Sequence, residues 1–470
     1  MKIRITHHHY DQIRRLISPS FLDGIRFPPE TGCIILVGRN DHPTHPSVVV
    51  ADVLEPQDGE LTEQARDGLV FSSRYLRRAL FRVREANLAG LLTIHTHPMS
   101  DTYVNFSPYD DANDPSLMAN LYELEPQGVF GSIVLGSRSA RARLWNSDGA
   151  DYNTLEALVI VGEQLSFLNA DGDEGEAEPI AAEIFDRSLA ITGKGALAQV
   201  ARMRVGLIGG SGTGSIMAEL LMRSGVGHIL IFEPDHIEKI NLPRILYSRR
   251  RDAEAGVAKS FRLAEGIAEA GLDTQISIVP GGDIRSEEVA LELRSCDLVI
   301  GCVDRDWPRL ILCELANQYL VPYIDLGTEI GICENEIQSL DSRVSYIAPG
   351  RPCLLCSGVV TNERIRLEAL EPVERDRVIA MGYSEDIRLV APAVMDLNMR
   401  AASYAMLVVR HLLQPFLDAP LPTHIKESLT NYNIRRVNLG SRPECSVCGT
   451  SMRLGFGDAH RLTTIRGNLV

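Results

Sequence analysis

The stretch "RVGLIGGSGTGSIMAELLMRSGVGHILIFEPD", Arg204 to Asp235, decides the fold of the larger part of the chain. A short apolar run leads into a glycine-rich turn, a helical segment follows as far as Gly225, and a second apolar run ends near Glu233. A strand that runs into such a turn and then a helix directs backbone N–H groups and the helix dipole at a phosphate. The stretch therefore predicts a strand, turn and helix with a nucleotide site at the turn.

Three further apolar runs come after this stretch, "TQISIVP" at 274–280, "CDLVIGCVD" at 296–304 and "VPYIDLG" at 321–327, with helical segments between them. Strands that alternate with helices of this length are typical of a parallel, doubly wound sheet. This part of the chain, residues 185–452, is therefore predicted to be Rossmann-like.

The first 160 residues alternate short β-branched runs such as "CIILVG" and "SVVVADVL" with helical segments such as "SSRYLRRALFRVREA". The alternation predicts a separate α/β domain built on a mixed sheet. The acidic segment "ADGDEGEAE" at 170–178 breaks the pattern as an exposed linker does. We therefore expect domains at 1–160 and 185–452, a linker at 161–184 and a C-terminal tail at 453–470.

Composition narrows the class of protein. Apolar residues make up 45% of the 470 residues and charged residues 23%, as in globular proteins, and the formal net charge of −15 argues against nucleic-acid or anionic-membrane partners. No signal peptide and no membrane-spanning run is evident, and "YAMLVVRHLL" at 404–413 is short and charged. Nine cysteines, an odd count, favour thiols and metal ligands over disulfides. The expected location is cytoplasmic.

A candidate metal site lies in "TIHTHPMSDTYVNFSPYDD", Thr93 to Asp111. His95 and His97 are two residues apart at the end of an apolar strand, so their side chains share one face. Two such imidazoles can hold one zinc, with Asp110 as a third ligand and a position left open for water. A hydrogen-bonded pair of histidines is the alternative interpretation.

The arrangement resembles the JAB/JAMM metalloisopeptidase family, whose pattern is His-x-His-Pro, a loop, Ser-x-x-Asp, and an upstream glutamate that opens a glycine-containing strand. By that resemblance, which covers residues 5 to 160, His95, His97 and Asp110 bind a catalytic zinc, Glu30 of "PETGCIILVG" is the general base, and Ser107 steadies the oxyanion. Eight residues separate Pro98 from Ser107, two more than is usual in that family. Other glutamates also lie upstream of the histidines, Glu55, Glu60 and Glu85 among them.

The glycine-rich turn does not match the dinucleotide fingerprint Gly-x-Gly-x-x-Gly, because Ser211 stands where a glycine is needed. The glycines are Gly209, Gly210, Gly212 and Gly214. This disfavours an NAD-dependent oxidoreductase.

The segment beyond the turn resembles the ThiF/MoeB/ubiquitin-activating superfamily, and with the turn included the resemblance covers residues 185 to 450. The elements occur in order: "IFEPDHIEKINLPR" at 231–244, "GVAK" at 256–259 and "VIGCVDRDWPR" at 299–309. By that resemblance, Glu233 takes the ribose hydroxyls of ATP, Asp304 positions Mg²⁺, and three side chains hold the triphosphate: Asn241, Arg244 and Lys259. Arg187 lies where that family places an arginine that reaches ATP from the partner of a homodimer.

Two Cys-x-x-Cys pairs lie late in the chain, Cys353 with Cys356 and Cys445 with Cys448. Four thiolates close a tetrahedral zinc site that is structural, because no position remains open. The 88 residues between the pairs mean that such a site staples a larger fold, as in many superfamily members. Residues 357–444 contain no cysteine, although members that form a thioester with their substrate commonly use one there. We therefore expect no cysteine thioester at that place, and we expect the five remaining cysteines to be buried thiols.

Together the two resemblances imply a JAB/MPN-like mixed-sheet α/β domain followed by a Rossmann-like, ThiF-type domain with a structural four-cysteine zinc. The implied protein is bifunctional and acts on a ubiquitin-like protein with a C-terminal glycine. The first domain cleaves a peptide or isopeptide bond at that terminus, and the second adenylates the exposed carboxylate with ATP and Mg²⁺. A bacterial ubiquitin-like conjugation pathway, with a conjugating enzyme as further partner, is the favoured setting. Sulfur-carrier activation for cofactor or cysteine synthesis is the alternative, and a binding scaffold with decayed sites is the rival of another class.

Overall fold

The computed structural model describes residues 1–18, 29–65, 68–147, 149–154, 156–168, 182–381, 392–449 and 453–465. The chain divides into two compact units. The first unit comprises Met1–Pro179, Gln318–Leu320 and Arg453–Arg461, and the second comprises Ile180–Asn317, Val321–Met452 and Leu462–Val470. Each unit has its own sheet.

The first unit is a mixed nine-stranded sheet with three helices among the described residues. Its elements are β1 (Lys2–Thr6), α1 (His7–Ile17), β2 (Gly32–Asn40), β3 (Ser47–Leu54), β4 (Leu61–Gln64), β5 (Leu69–Phe71), α2 (Ser73–Glu85), β6 (Gly90–Thr96), α3 (Pro108–Leu124), β7 (Val129–Leu135), β8 (Ala140–Trp145), β9 (Tyr152–Thr154), β10 (Ala157–Val161) and β11 (Leu165–Leu168). The strand order is β11-β10-β1-β3-β2-β6-β7-β8-β9, and β4 pairs with β5 in a separate hairpin. The predicted mixed sheet is confirmed.

Helices cover both faces of this sheet. Ile13 and Ile17 of α1 pack into one apolar cluster with residues of the central strands, and Tyr75 of α2 and Met118 of α3 pack into the other. Because successive residues of a strand point to opposite faces, a strand such as β2, apolar at nearly every position, suits a sheet that is buried on both sides. Strands β2 and β6 therefore lie side by side at the centre of the sheet, where both faces are buried.

The second unit is an eight-stranded sheet with nine α-helices in the part of the chain that the structure describes. Its elements are α4 (Ala182–Arg202), β12 (Arg204–Ile208), α5 (Gly212–Arg223), β13 (His228–Phe232), α6 (Arg250–Ala255), α7 (Lys259–Glu269), β14 (Gln275–Ile278), α8 (Glu287–Glu292), β15 (Leu298–Gly301), α9 (Asp306–Gln318), β16 (Tyr323–Cys333), β17 (Glu336–Ile347), α10 (Asn362–Ala369), α11 (Pro372–Ala380), α12 (Met395–Leu413), β18 (His424–Ser428) and β19 (Asn433–Val437).

The strands of the second unit lie in the order β14-β13-β12-β15-β16-β17-β18-β19. The first five are parallel, in the arrangement 3-2-1-4-5 of a Rossmann-like sheet, so the order reverses between β12 and β15. The predicted parallel, doubly wound arrangement holds for these five strands, and β17, β18 and β19 continue the sheet as antiparallel strands. These strands carry many polar residues, which weakens the apolar signal of a buried parallel strand.

The domain boundaries predicted from sequence differ in detail from the two units. Strand β11 lies within the predicted linker and pairs with β10 in the first sheet, while the acidic segment 170–178 lies outside the described residues. Residues 453–461 of the predicted tail belong to the first unit, where Gly457 forms a β-bridge with Arg39. Among the described residues, no helix combines the length and the apolar content that crossing a bilayer requires.

Candidate functional sites

Two adjacent strands of the first unit bring the predicted histidines and Glu30 together. His95 is the penultimate residue of β6, and His97 follows the end of that strand. Strand β2 runs antiparallel to β6 with Gly32 opposite His95, which places Glu30, two residues before Gly32, beside the imidazoles. One ligand-type atom from each of Glu30, His95 and His97 lies within 4.8 Å of the other two. We call these three residues together with Asp110 the candidate metal centre.

Asp110 reaches the same place from the first turn of α3. Its Oδ1 lies 3.1 Å from His95 Nε2, and its Oδ2 lies 3.4 Å from His97 Nε2. Ser107 is the N-cap of α3: its backbone N donates to Asp110 Oδ2 at 2.7 Å, and its Oγ accepts from Asp110 N at 3.2 Å. This capping box fixes Ser107 and Asp110 relative to each other.

The donor atoms of the candidate metal centre suit a zinc ion. The Nε2 atoms of His95 and His97 are buried and make no hydrogen bond, although carboxylate oxygens lie near them. Glu30 Oε1 lies 3.8 Å from His97 Nε2, and Glu30 is only 4% exposed. Two buried imidazole nitrogens without hydrogen bonds, facing a carboxylate, match the nitrogen and oxygen ligands of catalytic zinc.

The charge state of Asp110 fits the same interpretation. Burial raises the pKa of this carboxyl group, but attraction from the nearby imidazoles of His95 and His97 outweighs burial, and the net pKa lies below the usual range. The carboxyl group is therefore ionised at neutral pH, as a metal ligand must be.

A cavity of about 610 Å³ adjoins the candidate metal centre within the first unit. Its wall is made by β5, α2 and α3 and includes both His95 and Asp110. Most of the lining is apolar, with Leu69, Phe71, Leu76, Leu117 and Leu121 among the residues that face it. The cavity is large enough to admit a side-chain-sized apolar group next to the centre.

The glycine-rich turn of the second unit lies at the point where the strand order reverses. Gly209 has a φ of 91°, and a Cβ atom on Gly214 would lie 1.7 Å from Gly209 O, so only glycine fits both positions. The backbone N of Cys302, just beyond β15, donates to Ile208 O at 2.8 Å and so places the end of β15 beside the turn. Open α/β sheets bind ligands at such a crevice.

Glu233 is held against the turn by backbone groups. Its Oε2 accepts from Gly210 N at 2.7 Å, and its Oε1 accepts from Asp235 N at 2.9 Å. Burial raises the pKa of Glu233 more than these hydrogen bonds and Lys259 lower it. The carboxylate predicted to take the ribose hydroxyls therefore lies in a fixed orientation at the mouth of the turn.

Lys259, at the first position of α7, lies beside the same strand end. Its Nζ is 3.0 Å from Asp235 Oδ2, and its backbone N donates to Asp235 O at 2.9 Å. The ammonium group is largely buried, with 8% of the side chain exposed. Asp235 was not predicted as a site residue. Its position two residues after Glu233, at the same strand end, could have indicated that it lies at the site.

Arg244 also lies beside the turn, next to Gly212. Its Cδ lies 3.3 Å from the position that a Cβ on Gly212 would take, so the side chain runs along the first turn of α5. Asn241 shapes this segment: its Oδ1 accepts from Glu238 N at 3.0 Å, and its carbonyl O accepts from Arg244 N at 3.0 Å. In the structure these hydrogen bonds of Asn241 therefore fix the backbone from which the Arg244 side chain extends.

Asp304 is exposed and lies two residues beyond Cys302, in the loop after β15. A Cβ on Gly209 would lie 2.7 Å from Cys302 O, so this loop starts at the glycine-rich turn.

Farther along, Arg309 Nε lies 3.1 Å from Asp325 Oδ1, and Arg343 Nη2 lies 2.7 Å from Asp325 Oδ2. Asp325 and Arg343 come from β16 and β17 and had no local signal in the sequence.

The four predicted zinc cysteines meet in the second unit. Cys353 Sγ lies 3.6 Å from Cys445 Sγ, Cys356 Sγ lies 3.4 Å from Cys448 Sγ, and all four sulfur atoms lie within 4.8 Å of one another. The backbone N of Arg442 donates to Cys356 Sγ at 3.4 Å. Four sulfur atoms at these distances fit a closed tetrahedral zinc site, in which Zn–S bonds are about 2.3 Å.

The other cysteines differ in exposure. Cys33, Cys296 and Cys313 are buried, Cys302 is half-buried, and burial raises the pKa of the Cys33 thiol to about 12. The expectation of a buried thiol is wrong for Cys333, which is exposed at the end of β16. Arg187 is an exposed residue of α4.

Comparison with known proteins gives one family match. The model of the ThiF family matches residues 185–448. Among curated proteins, ubiquitin-like modifier-activating enzyme 5 of Caenorhabditis briggsae is 26% identical over 197 residues, which cover 38% of this chain and 43% of that protein. The enzyme of the same name from Aedes aegypti is 24% identical over 256 residues, which cover 48% of this chain and 59% of that protein. The chain thus spans about half the length of these relatives.

Two solved structures are similar to part of the chain. Escherichia coli MccB with ATP is 18% identical, with a TM-score of 0.45, over 58% of this chain and 76% of that one. PaaA is 16% identical, with a TM-score of 0.39, over 56% of this chain and 84% of that one.

Proposed function

The chain belongs to the ThiF family, and from that premise we propose that its second unit adenylates the C-terminal carboxylate of a ubiquitin-like protein with ATP and Mg²⁺. The observation that carries the proposal is the gathering of Glu233, Lys259 and Arg244 around a glycine-rich turn at the switch point of the sheet. We further propose that the first unit, through zinc at the candidate metal centre, hydrolyses a peptide or isopeptide bond at the same terminus.

The proposed adenylation joins a substrate carboxylate oxygen to the α-phosphorus of ATP and breaks the bond to the β-phosphate, which yields an acyl-adenylate and pyrophosphate. Two anions must approach each other, so positive groups are needed where they meet. Lys259 and Arg244 would supply these charges, and the backbone N–H groups that open α5 would face the phosphates. Asp304 would hold Mg²⁺, and Glu233 would orient the ribose.

The proposed hydrolysis uses the side chains of the candidate metal centre. His95, His97 and Asp110 would hold zinc, which when bound lowers the pKa of a water molecule to about 7. Glu30 would accept the proton of that water and pass it to the leaving amine. Ser107 Oγ donates to Asp110 Oδ2 at 2.8 Å in the structure, so stabilising an oxyanion would require this hydroxyl to turn toward the substrate.

The two reactions use one substrate terminus in succession. Hydrolysis after the terminal glycine of a precursor exposes a carboxylate, and adenylation consumes that carboxylate. For a conjugate the same hydrolysis would release the ubiquitin-like protein from its target. A conjugation pathway is the setting that we propose, and sulfur-carrier activation uses the same acyl-adenylate with a sulfur donor as the next partner.

The test is ATP–pyrophosphate exchange with candidate ubiquitin-like proteins that end in glycine. We expect exchange with one of them, and we expect Asp304→Ala to reduce it by about a hundredfold or more, since removing a group that stabilises transition-state charge costs that much. Glu288→Ala, at an exposed position of α8 outside both proposed sites, is the matched control and should exchange as the unmodified chain does.

Absence of exchange with every candidate, by a protein shown to be folded, would contradict the adenylation proposal. Exchange that survives Asp304→Ala unchanged would contradict the role given to that carboxylate. Exchange followed by sulfur transfer from a supplied donor, without conjugation to protein, would favour the sulfur-carrier setting.

A further inference from the structure

Arg143 is a buried cation on β8 that neither proposed reaction uses. Only 2% of its side chain is exposed, and it is among the largest fully buried side chains described. An arginine so deeply buried is costly unless its charge and its N–H groups find partners. Its partners identify the part of the molecule that it holds.

Two aspartates of α3 pair with the Arg143 guanidinium. Arg143 Nη1 lies 2.6 Å from Asp111 Oδ1, and Arg143 Nη2 lies 2.7 Å from Asp114 Oδ2. Ser132 Oγ of β7 also donates to Asp114 Oδ2, at 2.5 Å. Asp111 directly follows the metal-ligand candidate Asp110, so these contacts anchor the first turns of α3 to the sheet.

An aromatic ring from the loop before α3 covers the same guanidinium. Arg143 Cζ lies 3.8 Å from the centre of the Phe106 ring, and the rings of Trp145 and Tyr152 are 5.2 and 5.3 Å away. Phe106 directly precedes Ser107, and its ring centre lies 6.3 Å from that of His95. A guanidinium that stacks on an aromatic face adds attraction to geometric restraint.

The rest of this loop, residues 99–106, is tied to the turn between β7 and β8 and to β8 itself. Ser137 N donates to Ser100 O at 3.0 Å, and Arg141 Nη1 donates to Asn105 Oδ1 at 2.5 Å. These two contacts are at or near the surface, whereas Arg143 holds the end of the loop from the buried side. The loop is two residues longer than is usual in the JAB/JAMM pattern, but these contacts still support its end.

We propose that Arg143 is a positioning residue of the candidate metal centre. Its guanidinium fixes Phe106 on one side of Ser107 and Asp111 on the far side of Asp110, and so sets the Asp110 carboxylate opposite His95 and His97. The inference rests on the proposed zinc site of the first unit. A merely structural ion pair would affect stability and leave metal affinity unchanged.

The test compares zinc retention against a chelator and the absorption spectrum of the cobalt-substituted protein. Arg143→Lys keeps the charge but loses the planar fork, and Phe106→Leu loses the stacked ring alone. We expect Arg143→Lys to weaken zinc binding at the first unit by about tenfold or more, since groups that orient metal ligands contribute that much. We expect a smaller loss for Phe106→Leu and an altered cobalt spectrum for both variants.

Arg84→Met is the matched control, because Arg84 pairs with Glu125 at the opposite end of α3. It should retain zinc and the cobalt spectrum of the unmodified chain. Zinc at the four cysteines serves as an internal reference, and if Arg143→Lys does not fold, Phe106→Leu decides the question.

Three outcomes would overturn the proposal. Unchanged zinc affinity and cobalt spectrum in the folded variants would reduce Arg143 to a structural ion pair, while the metal centre itself would stand. An equal loss in Arg84→Met would show a general effect on α3. An unmodified chain that binds one zinc, at the cysteines only, would remove the proposed hydrolytic site and this inference with it.

Discussion

Glu30 is the residue on which the proposed hydrolysis depends most, because among the described residues it is the carboxylate besides Asp110 that lies close to an imidazole of the centre, and it is buried beside His97. A general base must be ionised and close to the reacting water. The register of β2 against β6 places it there. Two other upstream glutamates are engaged elsewhere: Glu60 pairs with Arg78, and Glu85 is a largely exposed residue of α2.

We expect Glu30→Gln to reduce peptide hydrolysis by about a hundredfold or more while zinc stays bound, since loss of a general base costs about 10²–10⁴ in rate. The measurement is cleavage of a ubiquitin-like precursor, followed by mass spectrometry, with zinc content determined in parallel. Glu85→Gln, at a side chain that is 57% exposed, is the control and should cleave normally. Cleavage by Glu30→Gln at the rate of the control would show that another group is the base.

At the residue scale, the sequence predicts side chains whose partners are close in the chain. His95, His97 and Asp110 were recognisable because one strand end and one helix start bring them together. Arg143 and Asp325 were not recognisable, because each meets its partners only after distant strands and helices have packed. A lone arginine in "RARLWNS" carries no sign of its burial.

At the element scale, the junction between β12 and α5 controls the nucleotide site. Helix α5 begins at Gly212, within the glycine-rich turn, so its free N–H groups are part of the turn itself. This start is possible because Gly214 carries no Cβ that would strike Gly209 O. The strand, turn and helix follow from local sequence, whereas the antiparallel strands β17 to β19 depend on pairing that no local pattern specifies.

Gly214→Ala is therefore expected to push α5 away from the turn. We expect it to weaken ATP binding by at least tenfold and to lower the free energy of unfolding by about 1–3 kcal/mol, the usual cost of overpacking. Isothermal titration calorimetry and urea unfolding measure the two effects. Gly195→Ala in α4, where an added Cβ meets nothing within 4 Å, should leave both quantities unchanged or slightly raise stability. ATP binding by Gly214→Ala as tight as that of Gly195→Ala would contradict the role given to this junction.

At the scale of the whole molecule, the two proposed sites lie in separate units, each with its own sheet and its own candidate metal cluster. Alternating apolar runs predicted a sheet in each part of the chain, and each unit contains one. The exact boundaries were not predictable, because β11 extends the first sheet past the expected domain end and residues 453–461 return to the first unit. A chain that returns to an earlier domain leaves no local mark in its sequence.

If the two reactions act in succession on one terminus, the substrate form decides which unit must work. A precursor with residues beyond the terminal glycine has no free carboxylate at that glycine, so the unmodified chain should show ATP–pyrophosphate exchange with it only after a lag, while hydrolysis proceeds. Glu30→Gln should show no exchange with the precursor and normal exchange with the mature form, and Asp304→Ala should cleave the precursor without exchange. Immediate exchange with an uncleaved precursor would contradict this order, and loss of exchange with the mature form in Glu30→Gln would show that the two units do not act independently.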